Sequence, residues 1–199
     1  MGRLDGKVAV ISGAGSGIAR AAARIFTREG AQVVVAEIDP ELGTAAALEA
    51  GNNAIFIVTD VTDEDSVDGT MAQAVEHFGG LHILFNCAGG SVLEDSKVTD
   101  VDMAVWERTI PLDLKGPFLC SRHGIPRIIA SGGGAVINVS SVVALRGNHP
   151  AHVYSSAKGG LISLTRSLAG AYAMDGVRAN VICPGLVKTD RIKSRYVAR

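Results

Sequence analysis

The chain has 199 residues, with 19 Lys plus Arg against 20 Asp plus Glu and a formal net charge of -1. At roughly one domain per 150 residues this length predicts a single domain over residues 1–199, and the balanced charge gives nothing to draw it to nucleic acid or an anionic membrane. A hydrophobic content of 47% with 20% charged residues excludes a disordered chain, and 24 glycines beside 5% aromatics imply tight turns and close backbone approaches.

The residues Met1 to Gly6 carry charge, form no signal-peptide apolar region and lead into a β-branched run, Val8–Ser12. Further runs of this kind follow at Gln32–Glu37, Ala54–Val58, Ile83–Asn86, Ala135–Ser140 and Val177–Ile182. They lack strict polar alternation, as expected of strands buried on both faces. Helical patterns separate them: Ile18–Glu29, Pro40–Ala50, Asp63–Phe78, a longer one beginning near Val101, and Tyr154–Met174. Asp39 before Pro40 and Thr62 before Asp65 read as helix caps, and Gly30, Gly51 and Gly79 as stops. Right-handed βαβ crossovers then give a doubly wound parallel α/β sheet of six strands, a Rossmann fold with helices on both faces. Its ligand crevice lies beyond the carboxyl ends of the strands. Cys87, Cys120 and Cys183 stand far apart, which predicts reduced buried thiols, with neither a disulfide framework nor a metal site. With no run of 18 apolar residues, the expected location is cytoplasmic, away from membranes.

Three features at the strand ends carry chemistry. The first strand runs into Ser12-Gly13-Ala14-Gly15-Ser16-Gly17-Ile18-Ala19, a glycine-rich turn opening a helix, where backbone N–H groups and the helix dipole favour a pyrophosphate. Ile18 breaks the G-x-G-x-x-G spacing, so the turn alone is a weak signal. Glu37 ends the second strand, 20 residues after Gly17, where a carboxylate accepts from ribose hydroxyls and repels a 2′-phosphate. A charge pair near 4 Å at an effective dielectric of 20 is worth about 4 kcal/mol, which favours NAD(H) over NADP(H). Tyr154 and Lys158 are four apart and share a helix face, with Ser141 at the end of the fifth strand. By the same Coulomb estimate, an ammonium brings a phenol of ordinary pKa about 10 toward neutrality, where it can act as general acid and base.

These motifs in this order resemble the short-chain dehydrogenase/reductase family, from Arg3 to about Thr189. Ser12–Ala19 is similar to its T-G-x-x-x-G-x-G turn, Asp60-Val61 to its adenine-contacting pair, and Asn86-Cys87-Ala88-Gly89 to its N-N-A-G. Tyr154-Ser-Ser-Ala-Lys158 matches its Y-x-x-x-K, and Pro184-Gly185 its P-G segment. The resemblance implies an NAD(P)-dependent oxidoreductase interconverting an alcohol and a carbonyl compound by hydride transfer; with Glu37 the leading expectation is an NAD(H)-dependent enzyme acting on a secondary alcohol or ketone. Tyr154 would exchange the substrate proton, Ser141 hold the substrate oxygen, and Lys158 bind the nicotinamide ribose while acidifying the phenol. Ser141 is preferred over Ser140 because the family's serine stands 13 residues before its tyrosine. The turn residues Ser12, Gly13, Gly15, Ser16, Gly17 and Ile18, with Glu37, would hold the dinucleotide, and Asp60 and Val61 would flank the adenine. Asn86, Ala88 and Gly89 would lie on the adenosine side, and Pro184, Gly185, Val187 and Thr189 at the nicotinamide. A homo-oligomer, a small alcohol or carbonyl substrate and no metal are also implied.

Departures from the pattern qualify that reading. Ala19 replaces the third glycine and Cys87 the second asparagine. Asp113, in Asp113-Leu-Lys-Gly116, stands where the family usually has the asparagine that orders a water leading to the lysine. A carboxylate about 8 Å from the phenol opposes its ionisation by about 2 kcal/mol, predicting slower neutral-pH chemistry and an alkaline optimum, with Asp113 still ordering the relay water. Members also usually continue with a lid helix and a final strand, whereas this sequence stops at Arg199. Asp113 and the missing lid motivate a competing expectation, an NAD(H)-binding sensor or scaffold with little or no turnover. On the Tyr154–Met174 helix, Leu161, Leu164, Leu168 and Tyr172 form a stripe that suits either an interface between copies or the core.

Overall fold

Successive side chains of a strand point to opposite faces of its sheet, and in the central strands of this chain both sets are largely apolar, whereas the last strand alternates, with Arg178, Asn180 and Ile182 exposed. The computed structural model, which describes residues 2–190, 192 and 193, forms from these strands one six-stranded sheet. Its strands are β1 (Val8–Ser12), β2 (Gln32–Glu37), β3 (Ala54–Val58), β4 (Ile83–Asn86), β5 (Gly134–Val139) and β6 (Val177–Ile182). Their order is β3-β2-β1-β4-β5-β6, and every pairing is parallel. The last residues of the sequence, 194–199, and Arg191 lie outside the described residues.

On one face, Val10, Val34, Leu84 and Val136 pack against Val67 and Met71 of α3 (Glu64–Phe78) and Ile125 and Ile128 of α5 (Gly116–Ala130). On the other, Ile11, Val33, Val35 and Phe85 meet Ala19 and Ala23 of α1 (Gly17–Arg28) and Ala46 of α2 (Pro40–Ala50). Burying each such aliphatic side chain contributes about 1.5–3 kcal/mol before conformational entropy is subtracted. This double burial is why β1, β2 and β4 read as nearly unbroken apolar runs, while β6, an edge strand, exposes alternate side chains where burial on both faces was expected.

The helices differ from their expected outlines in three places. Asp63 rather than Thr62 caps α3, accepting the Ser66 N–H at 2.9 Å. Thr62 is instead drawn into a turn, its hydroxyl donating to Asp60 at 2.7 Å. The long helix expected from Val101 is α4 (Met103–Ile110), a π-helical turn over Pro111–Lys115, and then α5. Pro111 has no N–H and its ring crowds the preceding turn, so the wider π turn accommodates it. Finally, α6 spans His152–Tyr172, starting two residues before Tyr154 and ending in a short 3-10 turn, Ala173–Asp175. Of its leucine stripe, Leu161 is fully buried and Leu168 and Tyr172 pack against the core, while Leu164 is half-buried and outside it.

The chain crosses from β1 out to β2 and β3, then returns past β1 to β4. Strands β1 and β4 therefore flank a topological switch point, and their carboxyl ends open a crevice there. Among the described residues no helix is long and apolar enough to cross a membrane.

Candidate active site

A cavity of about 610 Å³ lies at that crevice. Its wall runs from Gly13, Gly15, Ser16, Gly17 and Ile18 past Glu37, Asp60 and Val61 to Ala88 and Gly89, and on to Ser141, Tyr154 and Lys158. Pro184, Gly185, Val187 and Thr189, which follow β6, also line it. Strand ends and distant loops thus bring nearly all of the expected positions to one space.

The glycine turn has a steric cause. Gly13 has φ +69°, and a Cβ on it would stand 2.7 Å from the Ala88 Cα, so only glycine lets β1 turn beside the exit of β4. Beyond the turn, α1 begins after Ser16 without a side-chain cap and without an acidic residue in its first turn. The first N–H groups of the helix and the positive end of its dipole are thus not met by a side chain of its own cap or first turn, and this end lines the cavity, which suits a pyrophosphate.

Glu37 closes the same end of the cavity. Its Oε2 accepts the Gly15 N–H at 3.0 Å, while Oε1 accepts the N–H groups of Ile38 at 2.9 Å and Asp39 at 3.3 Å. These bonds hold a fixed negative charge at the edge of the turn, and a carboxylate with about four acceptor sites keeps capacity for a hydroxyl.

Two expected contacts are placed elsewhere. Ser12 and Asn86 are buried and do not line the cavity. The Ser12 hydroxyl accepts the N–H groups of Cys87 at 3.1 Å and Ala88 at 3.3 Å, tying β1 to the exit of β4. Asn86 donates to Asn138 at 2.8 Å, which donates to Thr165 at 2.9 Å, bracing β4, β5 and α6. Buried polar groups are mostly hydrogen-bonded, and the Ser12 hydroxyl and the Asn86 amide N–H find their partners on neighbouring elements.

At the opposite end stand Ser141, Tyr154 and Lys158. The two serines after β5 divide their work: Ser140 is buried and donates to the Lys158 carbonyl at 2.7 Å, whereas Ser141 lines the cavity and caps a short 3-10 turn. Lys158, 3% exposed, places its Nζ 5.6 Å from the Tyr154 ring centroid and donates to the Val139 carbonyl at 3.0 Å.

The same Nζ lies 3.0 Å from Asp113 Oδ1. Asp113 is fully buried in the π-helical turn, and its Oδ1 also accepts the Gly90 N–H at 2.8 Å. Gly89, at φ +130°, gives it room, since a Cβ there would collide with this oxygen. Whatever water it orders, the carboxylate also touches the ammonium directly, because the π turn and Gly89 let position 113 reach the lysine itself.

Cys87 lines the cavity, and burial pushes its thiol up to about 11 against the opposing pull of Lys158. Cys120, wholly buried, is pushed up to about 12 for the same reason. Burial thus disfavours the thiolate at both positions. Among the described residues no group of His, Cys, Asp or Glu is arranged to hold a metal ion. Motif reading missed Thr59 and Leu112, which also line the cavity. Thr59 directly follows β3, so the rule that ligands sit beyond strand ends could have found it; Leu112 arrives only through the π turn.

Fold and site together define a doubly wound α/β protein of Rossmann type whose cleft joins a helix N-terminus to a Ser-Tyr-Lys group. A family model described as short chain dehydrogenase matches residues 7–198. The chain is 41% identical, over 92% of its length and 74% of the other's, to a cis-4-hydroxycyclohexanecarboxylate dehydrogenase of Sinomonas cyclohexanicum. It is 40% identical to a meso-2,3-butanediol dehydrogenase of Serratia marcescens, over 94% of this chain and 74% of that one. A solved short-chain type dehydrogenase/reductase from Mycobacterium ulcerans superposes with a TM-score of 0.92 at 27% identity, covering 96% of this chain and 71% of that one. The chain belongs to the short-chain dehydrogenase family, whose members are oxidoreductases that use nicotinamide cofactors.

Proposed function

We propose that the protein is an NAD(H)-dependent oxidoreductase interconverting a secondary alcohol and a ketone. The carrying observation is that one cavity is lined by the uncapped start of α1 and Glu37 at one end and by Ser141, Tyr154 and Lys158 at the other. The two relatives named above are dehydrogenases of hydroxyl compounds, which supports the substrate class.

The residues of the α1 turn would hold the pyrophosphate, with Asp60 and Val61 beside the adenine, and Pro184, Gly185, Val187 and Thr189 beside the nicotinamide. Bound there, the dinucleotide supplies or takes up the hydride. The Ser141 hydroxyl donates to the substrate oxygen and fixes its position. The Tyr154 phenol gives that oxygen a proton as a ketone is reduced and recovers it as an alcohol is oxidised. Lys158 binds a ribose hydroxyl and favours the phenolate by its charge. Glu37 repels a 2′-phosphate and selects NAD(H).

The Asp113 carboxylate against Lys158 favours a second reading, an NAD(H)-binding sensor or scaffold with little turnover, because part of the lysine's charge is neutralised. The reduced thiols fit a cytoplasmic location. Exposed Trp106 of α4 and Phe118 of α5 supply apolar surface for a homo-oligomer.

Titration with NADH and NADPH, followed by nicotinamide fluorescence, tests the cofactor: saturable binding with at least about tenfold preference for NADH is expected. Tyr154→Phe should then abolish ketone reduction while leaving NADH affinity unchanged. Binding without turnover in the parent chain would establish the sensor instead.

A further inference from the structure

A helix that starts without a local cap must satisfy its first N–H groups from elsewhere. Helix α6, which carries Tyr154 and Lys158, begins after Ala151, whose methyl group cannot accept a hydrogen bond. The N–H groups at its second and third positions are instead taken by Asp95, far away in the loop between β4 and α4. Its Oδ1 accepts from Val153 at 3.2 Å and its Oδ2 from Tyr154 at 2.8 Å. Asp95 is only 8% exposed, so these charge-assisted bonds are shielded from solvent.

Adjacent bonds join the same two segments. The His152 N–H donates to the Ser96 carbonyl at 3.2 Å, and the Val98 N–H to His152 Nδ1 at 3.0 Å. Nearer β4, the same loop passes through Gly90, whose N–H is held by Asp113, the partner of Lys158. The loop whose Gly90 and Ser91 line the cavity is thus tied to the start of α6 through Asp95 and to its lysine through Asp113. A serine or aspartate at position 151 would cap the helix equally well, but only a cap borne by the loop links the helix to the cavity wall.

We infer that Asp95 is a positioning residue for the proposed reaction: by capping α6 from the loop after β4, it sets the Tyr154 phenol against the substrate wall. This rests on the oxidoreductase reading. A displacement of about 1 Å in a reacting group can cost about 100-fold in rate, so a cap at the backbone of the acid/base residue has leverage that a remote cap lacks.

The test compares Asp95→Ala and Asp95→Asn in the full chain, with turnover counted per NADH-binding site. In Asp95→Ala, kcat for ketone reduction should fall about 10- to 100-fold with substrate KM and NADH affinity within about 2-fold. Hydrogen exchange at the Val153 and Tyr154 amides should become at least about tenfold faster. Asp95→Asn, which keeps one acceptor oxygen, should recover most of the lost kcat and retain protection at one of the two amides. If Asp95→Ala does not fold, Asp95→Asn carries the test, with kcat lowered and one amide deprotected. Unchanged exchange, unchanged kcat, or equal losses of kcat and NADH affinity would overturn the inference. If the parent chain reduces no ketone, the oxidoreductase reading falls, and the exchange measurement alone decides whether Asp95 holds the helix.

Discussion

Asp113 is where one side chain alters the chemistry of its neighbours. A fully buried carboxylate paired with a buried ammonium has large desolvation costs on both sides, offset only while both partners stay. Asp113→Ala should therefore cost about 3–5 kcal/mol in urea unfolding, because it strands the Lys158 charge. Asp113→Asn should cost less, since its amide oxygen still accepts the Gly90 N–H. With the negative charge gone, the lysine acts on Tyr154 unopposed, and the pH optimum for ketone reduction should move downward. Identical pH–rate profiles of parent and Asp113→Asn would discard the idea. The substitution itself stood in plain view in Asp113-Leu-Lys-Gly116. Its direct reach to Lys158 did not, because that depends on a π turn and a glycine from another loop.

At the scale of elements, boundaries followed local chemistry where a cap and its helix are neighbours in sequence. Asp39 accepts the N–H groups of Glu41 at 2.9 Å and Leu42 at 3.0 Å, with Pro40 in the first turn, as expected from the sequence. Asp39→Ala should lower stability by about 1 kcal/mol, read as a shift of the urea midpoint with the slope unchanged. Local reading failed where two candidate caps adjoined, since Asp60 took the Thr62 hydroxyl and left Asp63 to cap α3. It also had no access to the cap of α6, whose donor and acceptor lie 58 and 59 residues apart.

At the scale of the whole molecule, the amino ends of the central strands carry a pH-sensitive contact. His82, just before β4, accepts the Val8 N–H on Nδ1 at 3.1 Å, so the bond needs that nitrogen unprotonated. Burial first, and the charge of Lys7 second, hold its pKa below the usual 6.5. The folded state then binds fewer protons than the unfolded chain, so this contribution to stability is fully present above pH 6.5 and is lost as pH falls through the lowered value. Unfolding midpoints should drop as pH is lowered from about 7 to about 5, above the range where surface carboxylates titrate. His82→Asn, whose Oδ1 can accept the same N–H, should flatten that drop.

What the sequence determined by itself was whatever depends on period, propensity and near neighbours. The nearly unbroken apolar runs specified the buried central strands, the alternation with helices specified a doubly wound sheet, and spacing set Tyr154 and Lys158 on one helix face. Tertiary structure decided whatever needs two distant segments to meet. Ser12 and Asn86 became braces beneath the cavity because their nearest partners were neighbouring strands and helices. Asp113 became the counterion of Lys158, and Asp95 the cap above Tyr154. Hydrogen bonds and ion pairs act over about 3 Å, whereas a sequence records only order along the chain, so such contacts exist only once the fold has set the distances.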